Sequence, residues 1–180
     1  MVQALIVIDV QNGLVEQGDF YSELNRMEKL IHMFKDRGHP VVFMRHEDEE
    51  EEEESPLYKG SRGAEIHPSL KEYADVVIEK NNPSSFYQTS LDDFLTESGV
   101  DHIIVTGFNS EYCCLFTSIA GFDRGYKVTM IEDATGTVNT DETYDMEGLD
   151  IKGFIGTVLG CSDTVEVIDF LEFGLIYRPM

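Results

Sequence analysis

Short runs of apolar and β-branched residues, bounded by turn-forming residues, recur along the whole chain. Each run has the length and composition of a strand that is buried on both faces of a sheet. The pattern predicts six strands, at residues 4–8, 41–44, 76–78, 103–105, 128–131 and 165–168.

Segments with helical periodicity separate these predicted strands. After Ser22, a candidate N-cap, apolar residues recur every three or four positions until Gly38, a residue that favours a helix end. Three further helices are predicted: one at 90–99, which begins with a capping box of Ser90 and Asp93, one at 115–125 and one at 144–159.

The alternation of strand and helix predicts an α/β fold. We expect a three-layer α/β/α sandwich with a mostly parallel, six-stranded, Rossmann-like sheet. The chain has 180 residues, of which 42% are hydrophobic, enough for one core. We therefore expect a single domain over residues 1–180, with binding sites at the carboxyl ends of the strands.

Composition narrows the classes of partner and the cellular compartment. A net charge of -22 repels nucleic acids and anionic membranes, and no apolar stretch is long enough to cross a bilayer. The acidic run at residues 47–54 is too charged to bury and is expected to form a mobile loop. Three cysteines, two of them adjacent, suit neither a disulfide framework nor a zinc knuckle. Together with the lack of a basic leader, this predicts a cytoplasmic protein with free thiols.

Three chemically capable residues follow predicted strands. Asp9 ends the first strand, Lys80 ends the third, and Cys113 lies after the fourth, near a helix start. A helix start and a nearby lysine would stabilise a thiolate, and a carboxylate could take the thiol proton. The alternatives are a small core cysteine, an aspartate that caps a loop and an exposed lysine.

These residues belong to three segments that resemble the isochorismatase-like cysteine hydrolase family. The segments occur in the family's order, and each coincides with a predicted strand end. The matching positions are Asp9 within 4–12, Lys80 with Ser85, Phe86 and Thr89, and Gly107, Cys113, Thr117, Gly125 and Tyr126 within 106–128.

The resemblance implies a catalytic triad of Asp9, Lys80 and Cys113. It also implies an oxyanion hole made by the N–H groups of Asn109 and Cys113, with a cis peptide before Asn109. The implied activity is hydrolysis of a C–N bond in a small amide or carbamoyl compound through a thioester. The family resemblance further implies a homo-oligomer. No cofactor is expected.

Metal binding is not predicted. Family members that hydrolyse nicotinamide hold a metal with an Asp-x-His pair and a further histidine, and that spacing is absent around His46. We expect His46 and His67 to be solvent-facing loop histidines. Members that cleave a vinyl ether lack the cysteine matching Cys113, so its presence argues against that reaction. A nicotinamidase and a non-catalytic small-molecule-binding protein remain as alternatives.

The substrate is expected to be a small molecule, held by residues of the loops. Aromatic side chains at such positions either pack against the core or bind ligands. The candidate substrate-binding residues are Leu14, Phe20, Phe86, Tyr87 and Tyr112.

Overall fold

The computed structural model describes residues 1–49 and 55–177. Six parallel strands form one sheet in the order β3-β2-β1-β4-β5-β6. All six predicted strands are present, and β4 and β5 extend well beyond their predicted bounds. The bounds are β1 Gln3–Ile8, β2 Val41–His46, β3 Val76–Lys80, β4 His102–Phe108, β5 Lys127–Gly136 and β6 Glu166–Ile168.

Helices cover both faces of this sheet. None of the helices in the described part of the chain has the length and apolarity that a membrane crossing requires. A π-helical turn, Ser110–Cys114, leads directly into α5, and a 3₁₀ turn, Asp141–Tyr144, follows β5. The helices are α1 Asn12–Val15, α2 Tyr21–Lys35, α3 Pro68–Lys71, α4 Leu91–Glu97, α5 Leu115–Asp123, α6 Ile151–Gly160 and α7 Phe170–Ile176.

The central strand β1 shows how the three layers pack. All six of its residues are buried, and successive side chains point to opposite faces. Leu5 and Val7 pack in a cluster with the apolar face of α2. Ile6 and Ile8 pack in the cluster on the other face, which contains residues of α4 and α6. The predicted α/β/α sandwich is confirmed, and the sheet is parallel throughout.

Two predicted helix starts differ from the structure. The first long helix begins at Tyr21 after Phe20, so Ser22 is not its N-cap. Ser90 does precede α4, but its side chain makes no capping hydrogen bond. The predicted capping box is therefore wrong.

The predicted helix at 144–159 is also too long. Asp145 has a φ of 53°, in the left-handed region that interrupts a helix. Asp150 then starts α6 as its N-cap, because its carboxylate accepts a hydrogen bond of 3.1 Å from the N–H of Gly153. The helix is thus confined to Ile151–Gly160.

The start of the acidic run is packed into the fold. Glu47 is buried, and its carboxylate lies 3.0 Å from the guanidinium of Arg45 and 3.4 Å from the ammonium of Lys59. The prediction that the whole run is too charged to bury is therefore wrong for Glu47. Residues 50–54, which carry most of the predicted mobile loop, lie outside the described residues.

Candidate active site

The carboxyl ends of β1, β3 and β4 bring the three predicted residues together. The Nζ atom of Lys80 donates to Oδ2 of Asp9 at 2.8 Å and to Sγ of Cys113 at 3.4 Å. Because β2 lies between β1 and β3, the side chain of Lys80 reaches across the end of β2. The cluster lies where β1 meets β4, the point at which the strand order reverses and ligands bind in sheets of this type.

The backbone after β1 holds the carboxylate of Asp9 in this cluster. Asp9 has a φ of 50°, a left-handed conformation that aspartate tolerates better than most residues. Its N–H donates to the carbonyl of Met44 at 3.0 Å. While Oδ2 binds Lys80, Oδ1 is buried without a hydrogen-bond partner among the described residues. Asp9 therefore keeps an acceptor atom free for a proton.

The end of β4, which leads to Cys113, lies tightly against β1. Gly107 has a φ of 116°, and a Cβ there would lie 2.0 Å from the carbonyl oxygen of Ile8, so only glycine fits. Cys113 lies in the π-helical turn that leads directly into α5, so it is near a helix start, as predicted. A carboxylate oxygen of Asp9 is within 4.8 Å of its sulfur.

The pKa of the Cys113 thiol is raised, whereas the sequence led us to expect a stabilised thiolate. Burial raises the pKa of the Cys113 thiol, and the Asp9 carboxylate raises it further, while Lys80 offsets only part of this increase. Burial alone would lower the pKa of Lys80, but Asp9 and Cys113 outweigh burial and raise it. The raised pKa of Cys113 favours the thiol over a resting thiolate.

Asn109 is fixed at the start of the same turn. The Phe108–Asn109 peptide is cis, as the resemblance implies. The side-chain oxygen of Asn109 accepts from the N–H of Val138 at 3.1 Å, and its carbonyl accepts from the N–H of Cys114 at 3.1 Å. These contacts tie the turn to the segment after β5.

Glu111, which the sequence argument missed, strengthens this connection. Its side chain is buried, and Oε1 accepts from the hydroxyl of Thr137 at 2.7 Å, the amide of Asn139 at 2.8 Å and the hydroxyl of Tyr144 at 3.1 Å. The sequence signal that could have identified Glu111 was its position two residues before Cys113. Its partners lie more than 20 residues away in sequence, which hides the network from local patterns.

His46 is the second residue that was missed. The prediction that it faces solvent is wrong, because its Nδ1 atom lies 3.0 Å from Nζ of Lys80 and its Nε2 atom 2.8 Å from Oδ1 of Asp48. His67 lies elsewhere, half-buried as the N-cap of α3. His46 ends β2, the strand between β1 and β3, so the strand order explains its position.

Asp9, His46 and Cys113 have atoms that could bind a metal ion. Their arrangement around Lys80, however, does not fit a metal ion. One ligand atom each from Asp9, His46 and Cys113 lie within 4.8 Å of one another. However, the ammonium of Lys80 lies 2.8 Å from Asp9, 3.0 Å from His46 and 3.4 Å from Cys113. A divalent cation among these atoms would meet a positive charge at contact distance.

Ser85 and Thr89, which belong to the same matching segment as Lys80, form hydrogen bonds that support the site. Ser85 donates its N–H to the hydroxyl of Thr117 at 3.0 Å, and that hydroxyl donates to Oγ of Ser85 at 2.9 Å. The hydroxyl of Thr89 donates to the carbonyl of Ser85 at 2.5 Å. These bonds attach the segment after Lys80 to α5.

The candidate substrate-binding residues lie in different environments. Leu14 and Phe86 are buried in the two hydrophobic clusters, which favours packing over binding for both. Phe20 is half-buried, with its ring centroid 4.8 Å from that of Phe108. Tyr87 and Tyr112 are exposed, so they and Phe20 keep accessible surface for a ligand.

Sequence comparison identifies relatives of the chain. The isochorismatase protein YddQ of Bacillus subtilis is 32% identical over 143 residues, 76% of this chain and 79% of the relative. Nicotinamidase 3 of Arabidopsis thaliana is 29% identical, covering 78% of this chain and 76% of the relative. A second Arabidopsis protein, named "probable inactive nicotinamidase", is 28% identical, covering 83% and 90%.

Structure comparison agrees at the level of the fold. An isochorismatase-like hydrolase of Alkaliphilus metalliredigens superposes with a TM-score of 0.79 at 20% identity, covering 99% of this chain and 100% of that one. N-carbamoylsarcosine amidase of Thermoplasma acidophilum has a TM-score of 0.76 at 22% identity, covering 94% and 97%. The family model of the isochorismatase domain matches residues 3–160. The chain therefore belongs to the isochorismatase family and is a hydrolase of that family.

Proposed function

We propose that this hydrolase cleaves a C–N bond of a small amide or carbamoyl compound with Cys113 as the nucleophile. The observation that carries the proposal is the position of the Lys80 ammonium, in hydrogen-bond contact with both Asp9 and Cys113. A cysteine with an adjacent base and a group that compensates its charge is the arrangement of a covalent catalyst. The reaction needs no cofactor in this proposal.

The first half of the reaction forms a thioester. As Sγ of Cys113 attacks the carbonyl carbon, Oδ1 of Asp9 takes the thiol proton, and Lys80 offsets the negative charge on sulfur. The raised pKa of the thiol favours this concerted removal of the proton over a resting thiolate. The N–H groups of Asn109 and Cys113 bind the oxyanion of the tetrahedral intermediate.

The second half releases both products. The intermediate collapses, the C–N bond breaks, and Asp9 returns its proton to the departing amine. Water then attacks the thioester while Asp9 accepts one of its protons, and the C–S bond breaks. The departing sulfur takes that proton back from Asp9, which leaves a carboxylic or carbamic acid and the original thiol.

The relatives support amide chemistry and also define the alternatives. Nicotinamidase 3 and N-carbamoylsarcosine amidase are named for amide substrates, which supports the bond type. A nicotinamidase is the first alternative. The relative named as probably without activity supports the second, a non-catalytic binding protein on the same scaffold. In that case Asp9 and Lys80 would form only a structural ion pair.

An ammonia-release screen across amides, ureas and carbamoyl compounds tests the proposal. We expect release from at least one compound with the wild-type protein and none with Cys113→Ser. Release from nicotinamide alone, lost on chelation and restored by zinc or iron, would identify a nicotinamidase and overturn the metal-free mechanism. Silence across the whole panel would favour the binding protein.

We also propose that the protein forms a homo-oligomer through an apolar face of α5 and α6. Tyr112, Met146 and Phe154 line one pocket of about 230 Å³. Further exposed apolar residues continue from Tyr112 along α5 and from Phe154 along α6 at helical spacing. The six exposed residues are Tyr112, Phe116, Ile119, Met146, Phe154 and Val158. At ~200 Å² per large side chain, half exposed, they present roughly 600 Å² of apolar surface.

A second copy is the occupant that fits this face. Two chains of charge -22 repel each other except where their surfaces are uncharged, and none of these six residues carries a charge. Sedimentation velocity should show a dimer or larger species for the wild type and a shift towards monomer for Phe116→Glu. The control is Leu171→Glu, at an exposed residue of α7. A monomeric wild-type protein would overturn this proposal.

Two further proposals concern the number of domains and the cellular compartment. We propose one domain over residues 1–180, since one sheet spans Gln3–Ile8 to Glu166–Ile168. We propose a cytoplasmic location on the basis of three free cysteines. A protease-resistant full-length chain and intracellular fractionation would test the two statements.

A further inference from the structure

The ring of His46 is hydrogen-bonded through both nitrogens. Nδ1 lies 3.0 Å from the ammonium of Lys80, and Nε2 lies 2.8 Å from the carboxylate of Asp48. An ammonium can only donate and a carboxylate can only accept. The hydrogen of a neutral imidazole must therefore be on Nε2, which leaves the lone pair of Nδ1 directed at Lys80.

We propose that His46 and Asp48 are positioning residues that hold the ammonium of Lys80 between Asp9 and Cys113. This inference rests on the proposed function, in which Lys80 compensates the charge of the attacking sulfur. Asp48 fixes the tautomer of His46, and His46 in turn fixes the direction of one N–H of Lys80. Neither residue touches the reacting atoms in this account.

Lys80 needs such a constraint because its other contacts do not hold it near the sulfur. Among the described residues, its three N–H groups have four acceptors within reach: Asp9 at 2.8 Å, His46 at 3.0 Å, the carbonyl of Asn82 at 3.2 Å and Cys113 at 3.4 Å. The contact with Cys113 is the longest. Without His46, the flexible stem of Lys80 would let the ammonium turn towards the carboxylate of Asp9 and away from the sulfur.

The backbone of His46 and the carboxylate of Asp48 are held in place by their own surroundings. Gln11, which is fully buried, donates to the carbonyl of His46 at 2.7 Å and accepts from its N–H at 2.8 Å. The other carboxylate oxygen of Asp48 accepts from the hydroxyl of Ser55. The backbone N–H of Asp48 donates to the carbonyl of Leu57 at 3.0 Å. The pair is therefore preorganised, as a positioning role requires.

Two substitutions of the same shape separate positioning from packing. Asparagine and leucine have the same side-chain skeleton, but only asparagine places an acceptor oxygen close to the position of Nδ1. For His46→Leu we expect kcat to fall by about 100-fold with KM little changed, since displacing a catalytic group by ~1 Å costs on that order. For His46→Asn we expect most of that loss to be restored.

The controls separate this inference from the proposed function. His67→Asn keeps an N-cap at α3 and should leave kcat unchanged. Equal kcat values for His46→Leu and His46→Asn, with thermal midpoints showing that both fold, would overturn the positioning role. Wild-type protein that releases no ammonia would instead refute the proposed function.

A second measurement does not depend on activity. Nitrogen NMR of protein labelled at its five histidines reports the tautomer of each ring, and the signal missing from His46→Asn identifies His46. We expect the hydrogen of the wild-type ring on Nε2 at neutral pH. A hydrogen on Nδ1 would direct a donor at the ammonium of Lys80 and overturn the inference, even if His46→Leu fails to fold.

Discussion

The ammonium of Lys80 and the carboxylate of Asp9 form an ion pair of 2.8 Å in which the side chains are 0% and 1% exposed. Removing one member leaves the other charge buried without a counter-ion. We therefore expect Lys80→Met to lower the free energy of unfolding by about 3–5 kcal/mol. Urea unfolding followed by circular dichroism measures this loss.

The double variant Asp9→Asn/Lys80→Met is the matched control, because it removes both charges. It should recover much of the stability lost in Lys80→Met, while remaining without turnover. If Lys80→Met unfolded at the same urea concentration as the wild type, the pair would not be buried as described.

The two adjacent cysteines should differ in their response to substitution. Cys114 is fully buried in the hydrophobic cluster of the α4 and α6 face. A serine hydroxyl there without a partner should cost about 1–3 kcal/mol in thermal unfolding. Cys161→Ser is the control, since Cys161 is exposed and its loss should change stability by less than ~0.5 kcal/mol. Loss of turnover in Cys114→Ser with unchanged stability would contradict this assignment.

The order of thiol alkylation tests the protonation state of Cys113. Iodoacetamide reacts with the thiolate, and burial beside Asp9 raises the pKa of the Cys113 thiol. At pH 7 we expect mass spectrometry to find alkylation of the exposed Cys161 before that of Cys113. Preferential labelling of Cys113 at pH 7 would indicate the stabilised thiolate that the helix start suggested.

His102 should make the stability of the fold depend on pH. It begins β4, at the end of the sheet opposite the site. It is fully buried, it is hydrogen-bonded to Gln3 at 3.1 Å and Thr129 at 2.7 Å, and burial together with Lys127 lowers its pKa to about 4. Between the unfolded pKa near 6.5 and the folded value, only the unfolded chain binds the proton. The free energy of unfolding should therefore fall by roughly 3 kcal/mol from this group as pH falls from 7 to 4.

The variant His102→Gln isolates this contribution from that of the many carboxylates. Its unfolding free energy should fall less steeply than that of the wild type between pH 7 and pH 4, as measured by urea titrations at each pH. Parallel curves for the two proteins would mean that His102 does not titrate as described.

The sequence was sufficient for the strands, because these depend on local patterns. The family resemblance pointed to Asp9, Lys80 and Cys113, which the structure brings into contact around the Lys80 ammonium. Buried β-branched runs mark the strands; Asp9 directly follows β1, and Lys80 is the last residue of β3. His46 could not be placed, since its contact with Lys80 requires β2 to lie between β1 and β3. The protonation of Cys113 depends on burial that only the packed structure shows.

Turnover of Cys113→Ser, measured together with its thermal midpoint on a compound that the wild type hydrolyses, tests the central claim most directly. A serine hydroxyl has a much higher pKa than a thiol, so Asp9 and Lys80 cannot activate it in the same way. We predict a folded protein with an unchanged thermal midpoint and no detectable turnover. Near-normal turnover by Cys113→Ser would contradict the proposed mechanism.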